Sequence, residues 1–428
     1  MKLWDNIIGY VPEKKELQDL CDVLTHRELY AEYGAVPPRG LLLYGEPGVG
    51  KTLMAKTLIT ASKLPVFICR KDLPNGEFVK AIRKVFTDAA ENAPSIVFLD
   101  DMDKFAEGDE KHHDKEEYVT VQSCIDEAPR DVFVLATAND IENLPQSLLR
   151  EGRFDRRMEV KTPPLSDATA IIRHYLMNKP HTEELDPEEL AMLLQNDSCA
   201  ALETLLNEAA IRACRAREKT ITRRCFLETY LQQEHKVPAS ELAQDRSAEL
   251  SDPNSPHAWK VCHEAGHVVV GDLLFPGSVT IAVATESCGA VMRRQPEKAN
   301  AVTWNKSRVV SALAAKAAVE LCYGETPDGC RSDLMKAAGF TDRLLAADCA
   351  EGFAYLSLGH GETETHAAER ETAVIASLER SYQLARELLV KNRAYLDAVA
   401  KALAEKGVLT AADIKLIRAN CKITPVAA

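Results

Sequence analysis

Residues 40–52, GLLLYGEPGVGKT, run from a short apolar stretch into a glycine-rich turn that closes with Lys51 and Thr52. The pattern G-x-x-x-x-G-K-[ST] carries meaning where a strand enters it and a helix leaves it, because the backbone N–H groups of the turn must converge on phosphate oxygens. Both conditions hold: GLLLYG reads as a buried strand, and TLMAKTLITASK as an amphipathic helix. Gly45, Gly48 and Gly50 let the loop close, Lys51 reaches the β and γ oxygens, Thr52 can ligate Mg²⁺, and Leu53 leads into the helix. The motif therefore commits this part of the chain to a nucleotide-binding α/β sheet. Four more apolar runs fit that sheet: LPVFICR (64–70), SIVFLDD (95–101), DVFVLATAN (131–139) and RMEVKTP (157–163). Their near-continuous apolar character predicts parallel strands covered by helices on both faces.

Two of these segments end in polar groups. FLDDMD offers Asp100 to hold Mg²⁺ and Asp101 to orient an attacking water, and ATAND brings Asn139 toward the γ-phosphate. The stretch LLREGRFDRR contains Arg153 and Arg156 and has two readings. One is a solvated basic turn; the other is a pair of arginine fingers for a neighbouring subunit's γ-phosphate.

After PPLSD (163–167) strands give way to four helical stretches, a small helical domain. Residues 237–256 are polar and proline-containing and read as a linker. From 257 onward helices dominate again, interrupted by SVTIAVATESCGAVMRR (278–294), which predicts two short strands, and a glycine stop is expected at Gly407. A length of 428 residues suits two to three domains. The net charge of −13 argues against a nucleic-acid binder, and no apolar run approaches the length of a membrane span. Twelve cysteines are scattered without a C-x-x-C pair, which suits reduced thiols in a cytoplasmic protein.

The segment VCHEAGH places His263 and His267 four apart, on one face of a helix, where both can hold a single Zn²⁺. Glu264 is rotated off that face yet stands near enough to act as general base for an attacking water. A catalytic zinc needs a third protein ligand. A metzincin continuation fails, because Val270 and Leu273 stand where glycine and histidine are needed. Glu286 has about the spacing of a thermolysin-like ligand but lies in a stretch that reads as strand, and Asp333 opens a later helix. Cys262 points off the histidine face and is expected to be a buried thiol. CGAVMRR is a candidate edge strand for substrate backbone.

The nucleotide-binding pieces, in this order, resemble the AAA ATPase module. HEAGH, AAKAAVELCYG (314–324) and DGCRSDL (328–334) resemble the peptidase domain of the FtsH family of AAA zinc metalloproteases, and the likeness spans about residues 4–418. It implies a multidomain α/β plus all-α chain: an AAA P-loop domain over 1–163, a helical lid over 164–236, the linker, and a mainly helical zinc peptidase domain over 257–428. It also implies that Ile7, Ile8 and Gly9 contact adenine, that Arg153 and Arg156 are the arginine fingers of a homo-hexamer, and that Asp333 is the third zinc ligand. ATP with Mg²⁺ would drive the unfolding and feeding of unfolded or tagged proteins to the zinc site.

Four features depart from that family's pattern. The chain begins almost at the ATPase, as in a soluble relative or one whose membrane anchor has been removed. Asp101 stands where a catalytic glutamate is usual, which predicts slow ATP hydrolysis. The pore-facing aromatic is replaced by Leu73 and Pro74, leaving Leu73 or Phe78 as alternative gripping residues, and VQSCIDEAPRDVFV lacks an Asp-Gly-Phe element. The adjacent His112 and His113 sit in a dense charge run that reads as a solvated loop.

Overall fold

The computed structural model describes residues 3–72, 74–105, 116–242, 244–295, 300–325, 328–356 and 364–426, and the chain divides into two compact units, Met1–Arg223 and Arg224–Ala428. Leu73, His112 and His113 lie outside the described residues.

The first unit is built on five parallel strands, β1 (Gly40–Tyr44), β2 (Val66–Cys69), β3 (Ser95–Leu99), β4 (Val132–Ala138) and β5 (Arg156–Glu159), in the order β2-β3-β4-β1-β5. These are the five runs read from the sequence. β3 and β4 are buried along their whole length, as central parallel strands with both faces covered must be. Register pairs Tyr44 with Ala138 and Leu99 with Ala136, so Gly45, Asp100 and Asn139 leave the sheet along its carboxyl edge. That edge is where open α/β sheets bind ligands. The helix Lys51–Ser62 follows the glycine-rich turn, and Leu165–Leu176, Pro187–Leu193 and Cys199–Arg215 follow β5. Asp186 and Ser198 start the last two by accepting from backbone N–H groups of the first turn.

The second unit is mostly helical around a small antiparallel sheet, β6 (Val279–Ala284), β7 (Gly289–Arg293) and β8 (Val408–Thr410), in the order β7-β6-β8. Its central helix, Pro256–Leu274, begins where the Ser255 hydroxyl accepts the Ala258 N–H and Pro256 pre-sets the first turn. Val261, Ala265, Val268 and Val269 are fully buried in it, so it packs on several sides at once. The helix Ala301–Tyr323 lies against it, Arg331–Ala346 follows, and Glu364–Lys391 and Arg393–Lys406 complete the layer. Gly407, at φ 72°, stops the last of these. The described residues of 237–256 include two short 3₁₀ turns and lie on this unit, with Arg246 N–H donating to Ala404 and Glu241 accepting from Ser287. No helix of the described residues is long and apolar enough to cross a membrane.

Gly266, inside HEAGH, faces the helix Ala301–Tyr323 at close range. A Cβ there would stand 2.7 Å from both the Ala314 carbonyl oxygen and the Ala318 Cβ. Gly266→Ala should therefore push the helices apart and destabilise the unit by about 1–3 kcal/mol. At roughly 2–4 °C per kcal/mol for a unit of this size, thermal denaturation should reveal it. An unchanged melting temperature would show that the helices can separate freely.

Candidate functional site

At the carboxyl edge of the first unit's sheet, Gly45, Gly48 and Gly50 all have positive φ, and a Cβ at Gly45 would collide with the Val160 carbonyl oxygen at 2.1 Å. Lys51 Nζ donates to the carbonyls of Gly45 (2.7 Å) and Glu46 (2.8 Å) and to Asn139 Oδ1 (3.1 Å). Asp100 is buried, accepts from Thr137 Oγ1 at 2.9 Å and from Thr52 Oγ1 at 3.4 Å, and pairs with Arg70. The structure thus gathers Gly45, Lys51, Thr52, Asp100 and Asn139, the donor set expected for a Mg²⁺-nucleotide. Ile7 is buried, Ile8 half-buried, and Leu53 exposed; Gly9 packs against Asp167, which accepts the Tyr10 N–H at 2.8 Å.

Five residues in this unit behave in ways that the sequence did not disclose. Asp101 has a left-handed backbone, φ 55°, and its carboxylate pairs with Lys104 at 2.9 Å. Arg153 is buried and its guanidinium is held by Asp126 (3.0 and 2.6 Å) and the Ser147 carbonyl (2.6 Å), an inward orientation that its aspartate partner imposes. Arg156, which opens β5, is left half-buried. Phe78 corrects an expectation outright. It is fully buried, edge-on to Phe105 with ring centroids 4.9 Å apart, and so cannot grip a substrate. Asp103, overlooked at the end of FLDDMD, accepts from Asn139 Nδ2 at 3.2 Å and so orients that side chain.

In the second unit, one turn of Pro256–Leu274 presents His263 and His267 with their rings 5.0 Å apart, and the first turn of Arg331–Ala346 brings Asp333 between them. Asp333 Oδ2 lies 3.1 Å from His263 Nε2 and 3.4 Å from His267 Nε2. All three donor atoms fall within 4.8 Å of one another, and the two-histidine, one-carboxylate set suits zinc. Glu286 is not in this group; it lies after β6, where its carbonyl accepts from Lys260. Against burial, which would raise it, contact with His263 and His267 holds the Asp333 carboxyl well below the usual carboxylate range. Burial raises Glu264 instead, the histidines pulling it partly back.

Supporting contacts were not legible from the motif. His267 Nδ1 meets the Ser311 carbonyl at 2.7 Å, which fixes the tautomer with Nε2 free to ligate. Cys330 Sγ lies 3.7 Å from His263 Nδ1. Cys262 is buried, as expected, donating to the Ala318 carbonyl with the Cys322 sulfur 2.9 Å away. The group opens onto a cavity of about 1060 Å³, one wall of which is the edge strand β7.

Residues 41–162 match the family described as "ATPase family associated with various cellular activities (AAA)". The chain is 30% identical to ATP-dependent zinc metalloprotease FtsH 1 of Thermomicrobium roseum, over 97% of its own length and 68% of that protein's. It is 28% identical to FtsH 3 of Symbiobacterium thermophilum, over 96% of this chain and 70% of the relative. With FtsH of Bacillus subtilis the identity is 27%, over 96% and 69%. Likeness that runs through both units, the glycine-rich turn and the histidine pair alike, goes beyond a shared nucleotide fold: the chain belongs to the FtsH family of ATP-dependent zinc metalloproteases.

Proposed function

We propose that this chain is an ATP-dependent zinc endopeptidase that degrades unfolded or tagged polypeptides as a homo-hexamer in the cytoplasm, with an AAA module over 1–163, a helical lid over 164–236 and a peptidase domain over 257–428. The convergence of His263, His267 and Asp333 beside Glu264, at the base of a peptide-sized cavity, carries the reading. Zinc bound there would supply Lewis-acid polarisation of the scissile carbonyl and of the attacking water. Glu264 takes the water's proton on its carboxylate and delivers it to the leaving amine. Ser311 keeps His267 in its ligating tautomer. β7, with one edge unpaired among the described strands, is suited to align an extended substrate by backbone hydrogen bonds. In the other unit, the Gly45–Thr52 turn and Asp100 hold Mg²⁺-ATP, with Asn139 at the γ-phosphate. Arg153 and Arg156 serve as arginine fingers; Arg153 first has to leave Asp126.

A second reading, in which ATP supports assembly alone, is favoured by specific contacts. Asp101 is drawn to Lys104, Arg70 pairs with the Mg²⁺-binding Asp100, and Phe78 is locked in the core. A non-proteolytic, chaperone-like scaffold is disfavoured by the complete donor set. The test is degradation of a permanently unfolded protein by the zinc-loaded chain with ATP, with a non-hydrolysable analogue and without nucleotide, Glu264→Gln being the blank. Cleavage that needs hydrolysis is the expected result. Equal cleavage with the analogue would reduce nucleotide to an assembly ligand, and no cleavage in any arm would leave the scaffold.

A further inference from the structure

Four basic side chains line the cavity in front of His263, His267 and Asp333: Lys260, Arg293, Arg308 and Lys336. Three have partners. Lys260 Nζ donates to the carbonyls of Thr285 (2.9 Å) and Glu286 (2.6 Å). Arg293 donates to the Gly271 carbonyl (3.2 Å) and to the hydroxyls of Ser278 and Ser307 (3.3 and 3.4 Å). Lys336 lies 3.3 Å from Asp333 Oδ1.

Arg308 differs. Its guanidinium lies over the Phe340 ring, 3.8 Å from the centroid, and it has no hydrogen bond or ion pair among the described residues. Burial, with the nearby charge of Arg343, lowers its pKa from the ordinary arginine value, the mark of a cation partly stripped of water. A guanidinium has five N–H donors and no acceptor, and one held against an aromatic face has little rotamer freedom left to lose on binding. Its natural partner is a carboxylate, taken by two parallel hydrogen bonds. The cavity's own carboxylates are Asp333, held by His263 and His267, and Glu264, the general base of the reading above, so the acid has to arrive with the ligand.

Position narrows the ligand. Arg308 precedes Ser311, whose carbonyl meets His267, by three residues of the same helix, about 4.5 Å of rise. Extended peptide advances roughly 3.3 Å per residue, so a side chain reaching Arg308 belongs to a residue close to the bond at the metal.

We propose that Arg308 is a specificity-determining residue: with Phe340 it forms a subsite for a carboxylate of the bound polypeptide, within two residues of the cleaved bond. This rests on the peptidase reading above. The carboxylate can be an Asp or Glu side chain, or the C-terminus of a short substrate.

The zinc-loaded full chain is tested on internally quenched peptides with amidated ends, in which Glu, Gln, Lys or Leu is moved through the four positions flanking one cut site. A second set carries a free C-terminal carboxylate just beyond the cut. At one position Glu should raise kcat/KM over Gln by about tenfold or more, the size a charge-assisted hydrogen bond supplies. Arg308→Gln should bring that ratio to about one, and Arg308→Glu should favour Lys in its place. The ratio is internal to each protein, so partial loss of overall activity does not enter it. If only the second set shows the gain, the subsite holds chain ends. Indifference to acid in both sets, or a preference that survives Arg308→Gln, overturns the proposal. If no peptide is cleaved, the peptidase reading fails first, and the subsite is judged by binding. Fluorescence anisotropy of labelled Glu and Gln peptides on the Glu264→Gln protein should then favour Glu, and equal affinities refute the subsite.

Discussion

Glu264→Gln is expected to lower peptide cleavage by about 10²–10⁴-fold, the span that a positioned general base supplies, while zinc content stays at one ion per chain. The separation of the two readouts follows from geometry. Glu264 lies on the metal helix but outside the converging donor set, which is His263, His267 and Asp333. Glutamine keeps the volume of the buried side chain and removes the basic oxygen, so the helix and its histidines should hold their places. His267→Ala, by contrast, should lose metal and activity together, because it deletes a donor atom and the ring that Ser311 orients. Metal analysis beside a peptide assay checks both variants. Loss of zinc from Glu264→Gln would make Glu264 a ligand and leave the chain without an identified base; full activity in that variant would place the base elsewhere.

Much of this architecture was legible in the sequence because period and motif spacing are local properties. Five strands with continuous apolar character and a glycine-rich turn between strand and helix suffice to place Lys51, Thr52, Asp100 and Asn139 on one sheet edge. The histidine pair is equally local, four residues on one helix face. Asp333, 66 positions beyond His267 in the chain, could be chosen over Glu286 only through the family resemblance, and the fold now brings its carboxylate to both rings. Tertiary partners decided what remained hidden. Nothing near Arg153 announces that Asp126, 27 residues earlier, takes its guanidinium inward. Phe78 reads as an available gripping residue only until Phe105 is found against it. β8 was missed because three residues are too few to show a period, and it forms by pairing with β6. Arg308 was missed for a related reason: a lone arginine on a helix reads as a solvated charge until a cavity and an aromatic face are found around it.

Asp101→Glu should raise ATP hydrolysis by about 10- to 100-fold, since a displacement near 1 Å of a catalytic group can cost about 10²-fold. The extra methylene carries the carboxylate outward by roughly the distance that aspartate withholds. Two local features oppose the gain. Asp101 has a left-handed backbone, φ 55°, which aspartate tolerates better than glutamate does, at a penalty of about 1–2 kcal/mol for an ill-suited side chain. Its carboxylate is also engaged with Lys104 at 2.9 Å, and a longer side chain has more ways to keep that partner. This ion pair is weak because both groups are substantially exposed, 51% and 36%, so it should yield to a bound nucleotide and an ordered water. Steady-state phosphate release at saturating Mg²⁺-ATP decides the matter, with thermal denaturation run alongside to separate backbone strain from catalysis. A stable variant with an unaltered rate would show that Asp101 does not limit hydrolysis. The Arg70 guanidinium on Asp100 would then be the next constraint, since a cation on that carboxylate competes with the Mg²⁺ that the phosphates require.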